Sequence, residues 1–156
     1  MKNLFYLLAL VILTVIELSW PHWLDFFHCQ PDLLLIFMVA IVFYADFKTA
    51  LAFGVAAGLA KDIFLPWNFA INTVSFGVWS YLIFRLSRQI STDEHYVRLA
   101  IVLVAAILNN AVIGIQSVAS GNIISPSIFL RNLIIVSVYT TLLAPLIFKL
   151  TKKIAS

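Results

Sequence analysis

Ionisable side chains stand at five places in or beside long apolar stretches of the sequence. They are Glu17, Asp32, Lys61, Asp62 and Arg131. A charge in hydrocarbon is costly, so such a residue usually pairs with another charge, meets a ligand or partner, or extends toward the headgroups. These five residues therefore form one candidate site, which we call the polar cluster. The question for each charged side chain is which group it contacts.

Lys61 and Asp62 are adjacent in sequence, but they cannot pair well with each other. Consecutive residues diverge by about 100° around a helix, so each of the two needs another partner. In one interpretation ion pairs lock the helices together, with Asp62 against Arg131 and Lys61 against Asp32 or Glu17. In a second the charges contact a partner or a ligand. In a third Lys61 extends to nearby headgroups.

Small residues precede these charges at helical spacing. Ala50, Gly54 and Gly58 follow one another at intervals of four residues. Such spacing lets two helix backbones approach closely in a membrane. The pattern predicts a face that packs within the bundle or against a partner helix. Asp62 continues this stripe and Lys61 flanks it, so both charges should point toward protein and away from lipid.

Amide side chains form a second, weaker candidate. Asn109 and Asn110 lie in the middle of an apolar run, and Gln116 follows one to two turns later. Hydrogen bonds between helices are the usual role of such amides in membranes. A transport site is the alternative interpretation.

Neither a metal site nor a catalytic set is predicted. His22, His28 and Cys29 share one connector, but their spacing is not that of a metal motif. No nucleophile stands in a motif with its base, and no glycine-rich loop for phosphates is present. We expect no enzyme and no cofactor; a membrane enzyme would rest on these three residues alone.

Composition fixes the class of the chain. Of its 156 residues 63% are hydrophobic and only 11% are charged, with a mean hydropathy of +1.04. Soluble domains are about 45–50% apolar and about 25% charged. The sequence therefore predicts an all-α, polytopic transmembrane helical bundle. The excess of basic residues fits membrane topology, and we do not expect nucleic acid as a partner.

Six apolar segments are candidates for membrane spans. They cover residues 4–20, 32–45, 49–65, 69–86, 99–119 and 127–148. The second is short for a hydrocarbon core of about 30 Å, so it would be tilted, extended by the preceding loop or re-entrant. Five spans is the alternative. The longest polar connector, 87–98, is too short to fold alone, so residues 1–156 form one transmembrane domain.

Basic residues predict the orientation. With six spans and the N-terminus inside, the connectors on the inner side hold eight of the ten Lys and Arg residues, and the outer connectors hold none. Positive charge stays in the cytoplasm, so both termini should be cytoplasmic. The first segment lacks a small-residue cleavage site and should be retained. Lys61 and Asp62 then lie about 6 Å below the outer surface, which places the polar cluster in the outer leaflet.

The segment QPDLLLIFMVAIVFYADFKTALAFGVAAGLAKDIF, residues 30–64, resembles the MreD family of rod-shape-determining membrane proteins. That family shows a Pro-Asp before a short apolar span, a basic turn, and then a Gly-x-x-x-Gly-Leu-x-x-Asp helix. The matching positions here are Pro31, Asp32, Lys48, Gly54, Gly58, Leu59 and Asp62.

The resemblance implies a non-catalytic scaffold subunit of the bacterial cell-elongation machinery in the inner membrane. It implies binding to MreC, a single-span protein, and through it a link between MreB inside and RodA with its penicillin-binding transpeptidase outside. Membrane lipid surrounds such a protein, and homo-oligomerisation stays open. The family's fold is similar to the substrate-binding subunits of energy-coupling-factor vitamin transporters. A vitamin-binding subunit is therefore the alternative function.

Overall fold

Six helices make up the described part of the chain. The structure is a computed structural model, and it describes residues 1–21, 23, 30–64, 71–90, 94–121, 123 and 125–155. The helices are α1 (Lys2–Leu18), α2 (Leu33–Tyr44), α3 (Phe47–Phe64), α4 (Ile71–Gln89), α5 (His95–Ala119) and α6 (Pro126–Ala155). The described ranges contain no strand, which confirms the predicted all-α class. Each helix corresponds to one of the six predicted apolar segments.

The short helix α2 is the core of the bundle. All of its residues from Leu33 to Val42 are buried, and the helix contacts each of the other five. A helix that is apolar on every side is stable only where protein or lipid surrounds it completely. Its 12 residues extend for about 18 Å, well short of the roughly 30 Å hydrocarbon core. Because α2 is short, its N-terminus must begin among the other helices.

The outer surface of the bundle is strongly apolar. α5 and α6 are each long and apolar enough to cross a membrane. α6 exposes Leu142 at 73% and Leu146 at 67%, and α5 exposes Ile115 at 67%. An apolar surface of this extent on a soluble protein would drive aggregation. The exposed faces therefore fit a protein that lies in a membrane.

One end of the bundle gathers the end of α2, the start of α3 and the basic ends of α4 and α5. The Arg98 guanidinium donates to the Tyr44 hydroxyl at 2.6 Å, which ties α5 to the end of α2. At the start of α3, the Thr49 hydroxyl donates to Asp46, the residue before the helix, at 2.6 Å. This hydrogen bond stabilises the carboxylate and lowers the pKa of Asp46 below its usual value.

The glycine face of α3 packs against α4 in the same chain. Gly54 lies against Ser80, and Gly58 lies against the backbone of Asn72 and Thr73. Ala50 is buried as well, at 1% exposure. Of the two interpretations of this face, the structure thus shows packing within the bundle, and α4 covers the surface that a partner helix would need.

Replacing Gly58 with alanine tests this close approach. A Cβ at Gly58 would lie 2.6 Å from the Thr73 Cα and 2.7 Å from the Asn72 carbonyl carbon, so the backbones must separate. We expect Gly58→Ala to lower the free energy of unfolding in mixed micelles by about 1–2 kcal/mol, since overpacking outweighs the gain in helix propensity.

Gly77→Ala is the matched control in the facing helix. Its Cβ would lie 3.3 Å from the Val55 Cγ2, the end of a side chain, so the clash is mild. This variant should be neutral or stabilised by up to about 1 kcal/mol. Equal unfolding free energies for the two variants would contradict the close contact at Gly58.

Candidate functional site

Lys61 lies at the centre of a buried ion-pair group. Its Nζ is 2.7 Å from Asp32 Oδ2 and 3.5 Å from Glu17 Oε1. The side chain of Lys61 is only 11% exposed, that of Asp32 6% and that of Glu17 17%. The Phe76 ring covers the ammonium from a further side, with its centroid 5.5 Å away. We call Glu17, Asp32 and Lys61 the ionic node.

Each carboxylate of the ionic node makes a second contact with its other oxygen. Asp32 Oδ1 accepts the Leu35 N–H at 3.1 Å, and Glu17 Oε2 accepts the Leu34 N–H at 3.1 Å. Leu34 and Leu35 are in the first turn of α2, where backbone N–H groups lack partners within the helix. Asp32 is thus the N-cap of α2, and Glu17 supplies a second cap from another helix.

The node also reaches α6. The Asp32 N–H donates to the Thr140 Oγ1 at 3.0 Å. Side chains from α1, α3 and α6 therefore meet at the N-terminus of α2. Two carboxylates against one ammonium leave an excess negative charge, which the positive end of the α2 dipole, equivalent to roughly half a charge, partly offsets.

Asp62 stabilises a different helix. Its Oδ1 accepts the Asn72 N–H at 3.1 Å, and its Oδ2 accepts the Thr73 N–H at 2.8 Å. The Thr73 hydroxyl donates to Oδ2 too. Asp62 hence caps α4 from the end of α3, while Lys61 next to it points to α1 and α2. The different directions follow from the divergence of adjacent helical residues.

The pairing of Asp62 with Arg131 that the sequence suggested does not occur among the described residues. Asp62 is held by the N-terminus of α4, and Arg131 lies on an exposed face of α6. The polar cluster thus divides into three parts, which are the ionic node, the Asp62 cap and the separate Arg131. Of the other motif residues, Pro31 is buried ahead of the α2 cap, and Leu59 faces outward at 50% exposure.

The amides of α5 make contacts within the protein. The Trp79 indole N–H donates to Asn109 Oδ1 at 3.3 Å, and Asn110 Nδ2 donates to Ser137 Oγ at 3.5 Å. These two bonds join α5 to α4 and α6. Gln116 Nε2 donates to Ser120 Oγ at 3.2 Å, at the end of its own helix.

A small cavity adjoins the ionic node. It measures about 180 Å³ and is lined by Thr14, Glu17, Leu18, Gln30, Leu34, Ala60 and Lys61. Pockets for small molecules usually measure about 300–1,000 Å³. Of the residues considered for a metal site, His22, His28 and Cys29 lie outside the described residues.

Sequence reasoning named the three members of the ionic node but not their second role. The Pro-Asp before an apolar run is an N-cap signal for α2, and it could have assigned Asp32. Glu17 and Asp62 accept backbone N–H groups that lie 17 and 10 residues further along the chain. Caps supplied across such distances have no local signal, and neither does the contact of Thr140.

An all-helical bundle with a wholly apolar central helix, apolar outer faces and buried charges paired within the bundle defines a helical membrane protein. A family model described as "rod shape-determining protein MreD" matches residues 1–154. The chain therefore belongs to the MreD family of rod-shape-determining membrane proteins, as the resemblance indicated. No curated protein matches the chain, and no solved structure does.

Removing the ammonium of the ionic node should be strongly destabilising. Lys61→Met leaves two buried carboxylates without their cation, and we expect a loss of about 3–5 kcal/mol in the free energy of unfolding. The double variant Lys61→Met with Asp32→Asn should lose clearly less than the sum of the single variants. Lys48→Met, an exposed cation on the same helix, should stay within about 0.5 kcal/mol of the wild type. Additive losses at Lys61 and Asp32 would contradict the node.

A double-mutant cycle distinguishes a helix cap from an ion pair at Asp62. Asp62→Ala should cost about 1–2 kcal/mol because the first N–H groups of α4 lose their acceptor. Combined with Arg131→Gln, the two effects should add within about 0.5 kcal/mol. A larger coupling energy would show that Asp62 and Arg131 do interact.

Proposed function

We propose that this chain is a non-catalytic scaffold subunit of the bacterial cell-elongation machinery. It binds MreC and so links the MreB cytoskeleton to peptidoglycan synthesis by RodA and its transpeptidase. The family match over residues 1–154 supports the role in rod shape. The single observation that favours a scaffold is that the buried charged side chains form ion pairs and hydrogen bonds with the chain's own helices.

Because these charged side chains already have partners within the chain, few of their polar atoms are free to bind a substrate. All four carboxylate oxygens of Glu17 and Asp32 are within contact distance of Lys61 or the first turn of α2. A transport or catalytic site would need polar groups free to meet a ligand. The vitamin-binding alternative has no support from the family match or from the node, and the fold similarity on which it rested stays a prediction.

The proposed topology is six spans in the inner membrane with both termini in the cytoplasm. Ring contacts bring the same ends of the helices together, with centroids 5.1 Å apart for Phe47 and Phe84 and 5.9 Å apart for Phe43 and Phe148. The basic residues of the inner connectors cluster at this end of the bundle. The positive-inside rule supports a cytoplasmic position for it.

The docking face for MreC is then one of the exposed apolar faces. α4 occupies the glycine face of α3, so a partner span reaches the bundle from outside. A span that packs on an exposed face buries apolar side chains without disturbing the ionic node. Binding and stability should for that reason be separable by mutation.

Tryptophan substitutions on four exposed faces test the scaffold role. Val11, Val78, Leu108 and Leu142 are exposed on α1, α4, α5 and α6 respectively. We expect the wild-type chain to co-purify with MreC and at least one of the four variants to reduce its recovery about tenfold, as loss of an interface hot spot would. The unfolding midpoint of that variant should not change. A folded wild-type chain that recovers no MreC would contradict the proposal.

A further inference from the structure

None of the described acids is placed to pair with Arg131. Asp62 caps α4, and Glu17 and Asp32 hold Lys61. The two other described acids, Asp46 and Glu94, lie at the opposite end of the bundle, next to the starts of α3 and α5. Arg131 itself is exposed on α6. An anion that pairs with Arg131 therefore comes from outside the described part of the chain.

An apolar groove begins one turn beyond Arg131 on the same side of α6. It is lined by Ile134, Ile135, Val138, Tyr139 and Leu142, and its volume is about 290 Å³. Residues spaced by three, four and seven share one helix face, so Arg131 stands at the head of this groove. From Ile134 to Leu142 the groove runs for about 12 Å.

The length and the apolar lining of the groove suit a hydrocarbon chain. Its length of about 12 Å covers most of the roughly 15 Å depth of one leaflet, so one acyl chain of a lipid in that leaflet can lie along it.

The position of Arg131 along α6 matches the level of lipid phosphates. Lys149 lies on the same face 18 residues later, which corresponds to about 27 Å along the helix. The hydrocarbon core is about 30 Å thick. When Lys149 is at the inner headgroups, the Arg131 guanidinium is at the outer ones, where a phosphate offers it paired oxygens.

We propose that Arg131 and the groove form a site for a phosphate-bearing lipid of the outer leaflet. The guanidinium binds the phosphate, and one acyl chain lies along Ile134, Val138 and Leu142. The site uses the proposed orientation of α6, but it does not depend on MreC. Its failure and the failure of the scaffold role are therefore separate results.

Native mass spectrometry of the full chain, released from detergent micelles, tests the site. The probes are phosphatidylglycerol and a diacylglycerol with the same acyl chains and no phosphate. We expect Arg131→Gln to weaken the binding of phosphatidylglycerol about tenfold, as loss of a charge-assisted contact would. Val138→Trp, which fills the groove, should weaken it to a similar degree. Diacylglycerol binding should not depend on Arg131.

Matched controls separate the site from general lipid coating. Val11→Trp adds the same bulk to an exposed position of α1 and should leave the affinity for phosphatidylglycerol unchanged. Unchanged affinity in Arg131→Gln, or equal losses in the two tryptophan variants, would overturn the proposal.

Two other anions give distinct results. If a carboxylate of MreC pairs with Arg131, then Arg131→Gln lowers MreC recovery and leaves lipid binding intact. If Asp25, which lies outside the described residues, pairs with Arg131, then Asp25→Asn and Arg131→Gln show coupled losses of stability. Lipid binding again stays intact. Either result would overturn the lipid site.

Discussion

The bundle depends on how the N-terminus of α2 is satisfied among apolar helices. A helix start in such surroundings exposes backbone N–H groups that no water can reach, and each unsatisfied group is costly. Asp32 and Glu17 accept two of these N–H groups. Lys61 in turn pairs with both carboxylates and offsets one of their two charges, so the cap depends on all three residues.

The same device explains why this chain has charges inside its apolar segments. Lys61 holds α1 and α2 to α3, and Asp62 holds α3 to α4 through the first N–H groups of that helix. The charges therefore complete a fold whose central helix is too short to reach the surface. Partners would contact the outer surface, which is apolar in the described residues and carries Arg131 near one end of α6.

Much of the fold could be predicted from the sequence, because long apolar runs and the placement of basic residues are read directly. The six segments, the composition class and the membership of Glu17, Asp32 and Lys61 in one site all follow from such local signals. The partners of Asp62 and Arg131 could not be predicted. A carboxylate accepts a hydrogen bond from a backbone N–H as readily as from a guanidinium. Only the packing of α3 against α4 decides which of these two donors Asp62 contacts.

Hydrogen exchange at the start of α2 is the most direct measurement of the central claim. The amides of Leu34 and Leu35 should be strongly protected in the wild-type chain in micelles, because Glu17 and Asp32 accept them. In Lys61→Met the protection of these two amides should fall well before that of α5. Equal protection of Leu34 and Leu35 in both proteins, or a uniform loss over all helices, would contradict the account.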